Sequence, residues 1–136
     1  MRFLGIDYGS VRVGLALSDE AGTMGFPHKV MQNTPRLLEE VVELVHAEKV
    51  GAIVMGDSRT LAGGENPIAE QARAFGARLE VATGLLVAYE SEVFTSAEAR
   101  RAPHKEEKNR SPKSHEAVDA SAAAIILTSY LSRKHD

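Results

Sequence analysis

The sequence predicts an α/β fold: a mixed five-stranded sheet, antiparallel over its first three strands and parallel thereafter, flanked by helices. Three observations predict it. Residues 1–19 (MRFLGIDYGSVRVGLALSD) hold two apolar runs around a Gly-containing turn, the second alternating at Val11, Val13, Leu15 and Leu17. That period of two is the signature of a β-hairpin. Residues 52–55 and 85–89 are short apolar runs, as buried parallel strands are. Around them lie stretches whose apolar residues recur at helical spacing, which makes crossover units of strand and helix.

In chain order, the hairpin is followed by a third strand over residues 26–31. Pro27 places that strand at a sheet edge, because proline cannot donate to the ladder. Thr34 and Pro35 open a helix as N-cap and first-turn residue, and Leu37, Leu38, Val41, Val42, Leu44 and Val45 form its apolar face. The apolar run ending at Gly56 is the fourth strand, followed by a loop over residues 57–65. Asn66-Pro67 begins a second helix with Ala69, Ala72, Phe75, Gly76 and Leu79 inward. Residues 85–89 form the last strand, with Glu90 and Glu92 at its carboxyl end. Thr95 or Ser96 caps a short helix through Arg100. Residues 101–114 have no apolar period and read as an exposed loop, and an Ala-rich helix occupies residues 116–133. A meander followed by crossover units is the layout of the RNase H-like superfamily.

Composition narrows the function. The 136 residues suffice for one domain, residues 1–136, with a real core. The apolar fraction of 43% and charged fraction of 26% are those of a soluble globular protein. No cysteine is present, which excludes a thiol nucleophile, a zinc-thiolate site and a disulfide. With no signal-peptide pattern and no span for a bilayer, a cytoplasmic protein without membrane contact is expected. A net charge of −3 argues against a uniformly basic nucleic-acid coat, but leaves room for a local patch.

Three carboxylates carry the candidate chemistry: Asp7, Glu92 and Asp119. Asp7 closes a predicted central strand, at the sheet edge where α/β proteins place ligands. It is either a metal- or phosphate-handling group, or a turn residue that bonds its own backbone. Asp119 shares its helix face with Ala122, Ala123 and Ile126, a packed face on which a lone carboxylate costs several kcal/mol. A metal shared with Asp7 and Glu92 would offset that cost. A salt bridge to Lys113, His115 or an arginine of another element would do so too. Glu92 competes with Glu90 for the third place. Three hard oxygen ligands suit Mg²⁺ or Mn²⁺ and not zinc. Two such ions about 4 Å apart would activate water and stabilise the leaving oxygen of a phosphodiester.

A basic segment supplies the matching surface. Between residues 100 and 115 lie Arg100, Arg101, Lys105, Lys108, Arg110 and Lys113, against Glu106 and Glu107, a local balance of +4. Such runs are often solvated loops, but this one leads into the helix that bears Asp119. It is assigned, together with Arg12, to nucleic-acid binding.

With these residues assembled, the chain resembles the YqgF/RuvX family of pre-16S rRNA nucleases, also described as RuvC-like Holliday-junction resolvases. The likeness covers GIDYGSVRVGLALSD (5–19), the Gly56 loop through Gly63 and Pro67, TSAEAR (95–100) and VDASAAAIILTSYL (118–131). It implies an RNase H-like fold, an acidic triad at Asp7, Glu92 and Asp119, and processing of ribosomal RNA ends or junction resolution. The preference for Glu92 over Glu90 rests on it. The chain departs from the family at Ser91-Glu92-Val93, where Asp-Glu-Arg is usual, and at Asp57-Ser58, Thr60 and Ala62 in the loop. The departures touch the rim of the site, so metal binding is expected to persist while substrate preference or rate drifts.

The expected function is therefore metal-dependent endonucleolytic cleavage of structured RNA or branched DNA, the alternative being a binding module with little catalysis. Junction cleavage would favour a homodimer. A sugar-kinase-like ATPase would need two such domains, more than 136 residues supply.

Overall fold

A computed structural model describes residues 1–57, 67–91 and 112–134, with side chains of the last helix from Asp119 onward. Its elements are β1 (Arg2–Tyr8), β2 (Arg12–Ser18), β3 (Gly25–Gln32), α1 (Leu37–Ala47), β4 (Val50–Asp57), α2 (Pro67–Thr83), β5 (Val87–Ser91) and α3 (Pro112–Lys134). The strands form one five-stranded sheet in the order β3-β2-β1-β4-β5. β2 pairs antiparallel with β1 and β3, whereas β1–β4 and β4–β5 are parallel. The mixed sheet is the one the sequence predicts. Pro27 lies on the edge strand β3, where its missing N–H leaves no gap in the ladder of an inner strand.

Alternation along the central strands divides the core into two layers. Leu4, Ile6, Val13, Leu15, Ile53 and Met55 pack with Val41 of α1 and with Phe75 and Leu79 of α2. On the other face, Phe3, Ala16 and Val54 pack with Ala123, Ala124, Ile126, Leu127 and Leu131 of α3. α3 lies very close to the sheet. A Cβ on Gly5 would sit 2.8 Å from the Leu127 Cβ, and one on Gly14 would collide with the carbonyl oxygen of Asp119. Glycine in the strands and alanine on the helix make that approach sterically open.

Three element boundaries differ from expectation. α1 starts at Leu37, and Arg36 occupies its N-cap without a side-chain hydrogen bond. Thr34 instead closes a turn before the helix: its Oγ1 accepts from the Arg36 N–H at 3.2 Å and its carbonyl from the Leu37 N–H at 3.0 Å. β5 starts at Val87, because Gly84 (φ 75°) and the Thr83 Oγ1, which accepts from the Leu85 N–H, carry the chain out of α2 over two further residues. Glu90 is consequently inside the strand. α3 begins at Pro112 and takes in part of the expected loop, with proline at the position where a helix has no need of its N–H. The expected helix ending at Arg100 and the loop through Ser111 lie outside the described residues.

Candidate nuclease site

β1 is the middle strand, and Asp7 is its penultimate residue. In the β1–β2 register Asp7 stands opposite Gly14. Phe3 and Gly5 both meet α3, so the alternation of β1 puts Asp7 on that same face. α3 crosses β2 with the Asp119 backbone directly over Gly14. Two acids 112 positions apart in sequence therefore meet around one glycine. A side chain at position 14 would lift Asp119 away from the edge where Asp7 ends.

Asp119 is half-buried and its Oδ2 accepts a hydrogen bond from Arg12 Nε at 2.8 Å. An arginine of another element is thus its partner among the described residues, and the Lys113 and His115 side chains lie outside them. Arg12, two residues before Gly14, projects on the same sheet face by the alternation of β2. The role the structure shows for Arg12 is holding Asp119. Asn33 was not anticipated. Its Nδ2 donates to the Gly9 carbonyl at 2.8 Å and ties the end of β3 to the turn that follows Asp7. No pattern in the sequence marks it, since the bond spans 24 residues. Gly14 could have been noticed, because a glycine inside an alternating strand signals close backbone approach.

Two further acids near the edge are committed elsewhere. Glu90 is 1% exposed. Its carboxylate accepts from Ser129 Oγ at 2.6 Å and from the Arg133 guanidinium. Ser129 is ten residues beyond Asp119, about 15 Å along the helix. Glu90 thus fastens β5 to the far part of α3. Asp57, at the end of β4, pairs with Arg73 of α2 at 2.7 Å, and Arg73 lies over the Tyr89 ring at 4.2 Å. Its partner places it on the α2 side of the sheet, away from Asp119.

Glu92, Arg100, Arg101, Lys105, Lys108 and Arg110 lie outside the described residues, and Lys113 lies in the first turn of α3, before its described side chains. Among the described residues no three His, Asp or Glu side chains form a metal-binding group, and no helix is long and apolar enough to cross a membrane.

A sheet of this order, with an acid closing its middle strand and a long helix laid across it, has the RNase H-like architecture of the RuvC-type resolvases. Thermus thermophilus RuvC, solved in complex with Holliday junction substrate, shares the fold with a TM-score of 0.65 at 18% identity, over 99% of this chain and 96% of that one. The chain belongs to the RuvX family, described as Holliday junction resolvase, which it matches over residues 1–133. A relative from Maridesulfovibrio salexigens named "Putative pre-16S rRNA nuclease" is 38% identical over 135 residues, covering 98% of this chain and 99% of the relative. A relative of the same name from Oleidesulfovibrio alaskensis is 37% identical over 142 residues, covering 100% and 95%.

Proposed function

We propose that residues 1–136 act as one divalent-metal-dependent endonuclease that hydrolyses phosphodiester bonds in structured nucleic acid. The observation that carries this is the meeting of Asp7 and Asp119 around Gly14 at the end of the middle strand. Their oxygens are hard donors that suit Mg²⁺ or Mn²⁺. Asp7, Asp119 and, by family resemblance, Glu92 would hold the metal. The bound metal would lower the pKa of a water and balance the charge of the departing oxygen. Arg12 pairs with Asp119 at 2.8 Å and supplies a counter-charge that a bound cation would replace. Family relatives are named for pre-16S rRNA, and the matched family for Holliday junctions, so both substrates are candidates for this chain. Paired cuts in a junction would favour a homodimer.

The test is cleavage of a four-way DNA junction and of a structured ribosomal RNA precursor, side by side in Mn²⁺, with Asp7→Asn as control. Cutting by the wild type alone supports the acid site and names the substrate. Equal cutting by Asp7→Asn removes the metal reading. Binding of both substrates without cutting converts the assignment to a binding module, an outcome consistent with the altered Ser91 and Val93 flanks of Glu92.

A further inference from the structure

Behind Asp7, on the opposite face of the sheet, a cavity of about 260 Å³ opens between β1, the start of α1 and α2. Its walls include Tyr8, Asn33, Leu37, Gln71, Phe75 and Arg78. Gln71, Phe75 and Arg78 recur at helical spacing, so one face of α2 supplies an amide, a ring and a cation in succession. The Tyr8 and Phe75 rings are 5.4 Å apart at a tilt of 37°. Phe75 is buried, whereas Gln71 and Arg78 are exposed at the mouth. Among the described residues neither Gln71 nor Arg78 makes a side-chain hydrogen bond or ion pair.

We propose that this cavity receives a single unpaired nucleobase of the substrate, from a nucleotide adjacent to the one whose phosphate lies at Asp7. The inference rests on the nuclease reading above and adds how the substrate strand is held. Its volume falls just below the range of roughly 300–1,000 Å³ typical of drug-sized ligands, which suits one planar group. The partly open Tyr8 ring, backed by the buried Phe75, offers an aromatic wall that matches the π-face of any base. Gln71 carries both a donor and an acceptor and can read a base edge, and Arg78 offers its fork to the attached phosphate. The location couples the cavity to the acids. Asp7 and Tyr8 are consecutive, and strand alternation turns one toward α3 and the other toward α2. A strand crossing the sheet edge at Gly9 would present its phosphate to one face and its base to the other. Asn33, which clamps Gly9, lines the cavity as well and holds that crossing point in shape.

Extruding a base from a duplex costs a few kcal/mol, and least where the base is already unpaired. The cavity therefore directs cleavage to single-stranded positions, such as a frayed end or the exchange point of a junction.

The probe is nucleoside 5′-monophosphate, titrated into the wild-type protein in EDTA while backbone amide NMR shifts are followed. Saturable shifts at Tyr8, Asn33, Gln71 and Arg78 are expected for at least one of AMP, GMP, CMP and UMP. Gln71→Ala and Arg78→Ala, both at exposed helical positions, should each weaken that binding by about 5- to 10-fold. Ribose 5-phosphate, which offers Arg78 a phosphate but brings no base, should leave the Tyr8 and Gln71 amides unmoved. Absence of saturable shifts overturns the proposal, as does an equal response to ribose 5-phosphate or full affinity in Gln71→Ala. Because the titration is metal-free, it separates the two readings. Nucleotide binding in a protein that cleaves nothing would retain the pocket and remove the nuclease, and cleavage without nucleotide binding would do the reverse.

Discussion

At the scale of single residues, the arrangement depends on what Gly14 lacks and on what Arg12 supplies. Without a side chain at position 14, α3 can rest its Asp119 backbone on β2, opposite Asp7. Arg12 then meets Asp119 with both side chains partly open to water, at 39% and 28% exposure. A pair so exposed contributes roughly 0–1 kcal/mol. That is too little to explain the placement of Asp119 by stability, but enough to compete with a cation for the same oxygen. Arg12→Gln should therefore tighten Mn²⁺ binding by about 2- to 5-fold, the equivalent of a coupling of about 0.5–1 kcal/mol. Calorimetric titration of Mn²⁺ into wild type and variant checks this. Weaker binding in Arg12→Gln would mean that the arginine chiefly positions the carboxylate.

At the scale of elements, the joints that hold the sheet edge are polar side chains reaching across the sequence. Glu90 fixes β5 to α3 through Ser129 and Arg133 while it is almost wholly buried. Glu90→Ala should cost about 2 kcal/mol of stability, since hydrogen bonds to a charged group are lost and Ser129 is left unpaired. Urea unfolding measures it, and a loss under 0.5 kcal/mol would show that the joint is dispensable. The β2–β3 turn is held differently. Asp19 accepts from the Thr23 hydroxyl, from the Thr23 N–H at 2.7 Å and from the Met24 N–H at 3.2 Å. These bonds, led by the Thr23 hydroxyl, lower its pKa from the ordinary 3.8 to about 2. A lowered folded pKa contributes stability that is complete above 3.8 and disappears as pH falls toward 2. Asp19→Asn should melt below wild type at pH 7, and the gap should close between pH 4 and pH 2. A gap that is constant with pH would assign the effect to geometry and not to charge.

These joints mark where the sequence is legible. Apolar period announces β1, β2, β4 and the inner face of α2, because each buries an unbroken pattern. The inner set read for α2, Ala69, Ala72, Phe75, Gly76 and Leu79, is the buried set observed. The start of α1 is misread because Thr34 spends its hydroxyl on a turn, although it has the composition of an N-cap. Glu90 is misread as lying past its strand, because Thr83 and Gly84 delay β5 through contacts no periodicity records. At the candidate site, strand position and helix face single out Asp7 and Asp119 as candidates, and the fold brings both to Gly14. The Arg12–Asp119 and Asn33–Gly9 contacts beside them span 107 and 24 residues, and only the folded chain brings these partners together.

At the scale of the whole molecule, basic charge is concentrated in one segment of a chain whose net charge is −3. Residues 100–115 carry six Lys or Arg against two acids, which leaves ten basic against seventeen acidic residues in the remainder. That remainder is net acidic, so the nucleic-acid binding proposed above is expected to draw on the basic segment that leads into α3. The affinity for nucleic acid should accordingly fall steeply with salt, because each neutralised phosphate releases condensed counterions. Replacing Lys105, Lys108 and Arg110 together by alanine should lower the slope of log K against log[salt] by about 2–2.7, at about 0.7 per contact for single strands and 0.9 for duplex. The loss should be equal for all sequences, since phosphate contacts carry no base information. Fluorescence anisotropy over a range of KCl concentrations gives the slope directly. If the slope of the triple variant equals that of the wild type, the segment is a solvated connector, and the phosphates must be met by Arg12, Arg78 and other cations outside it.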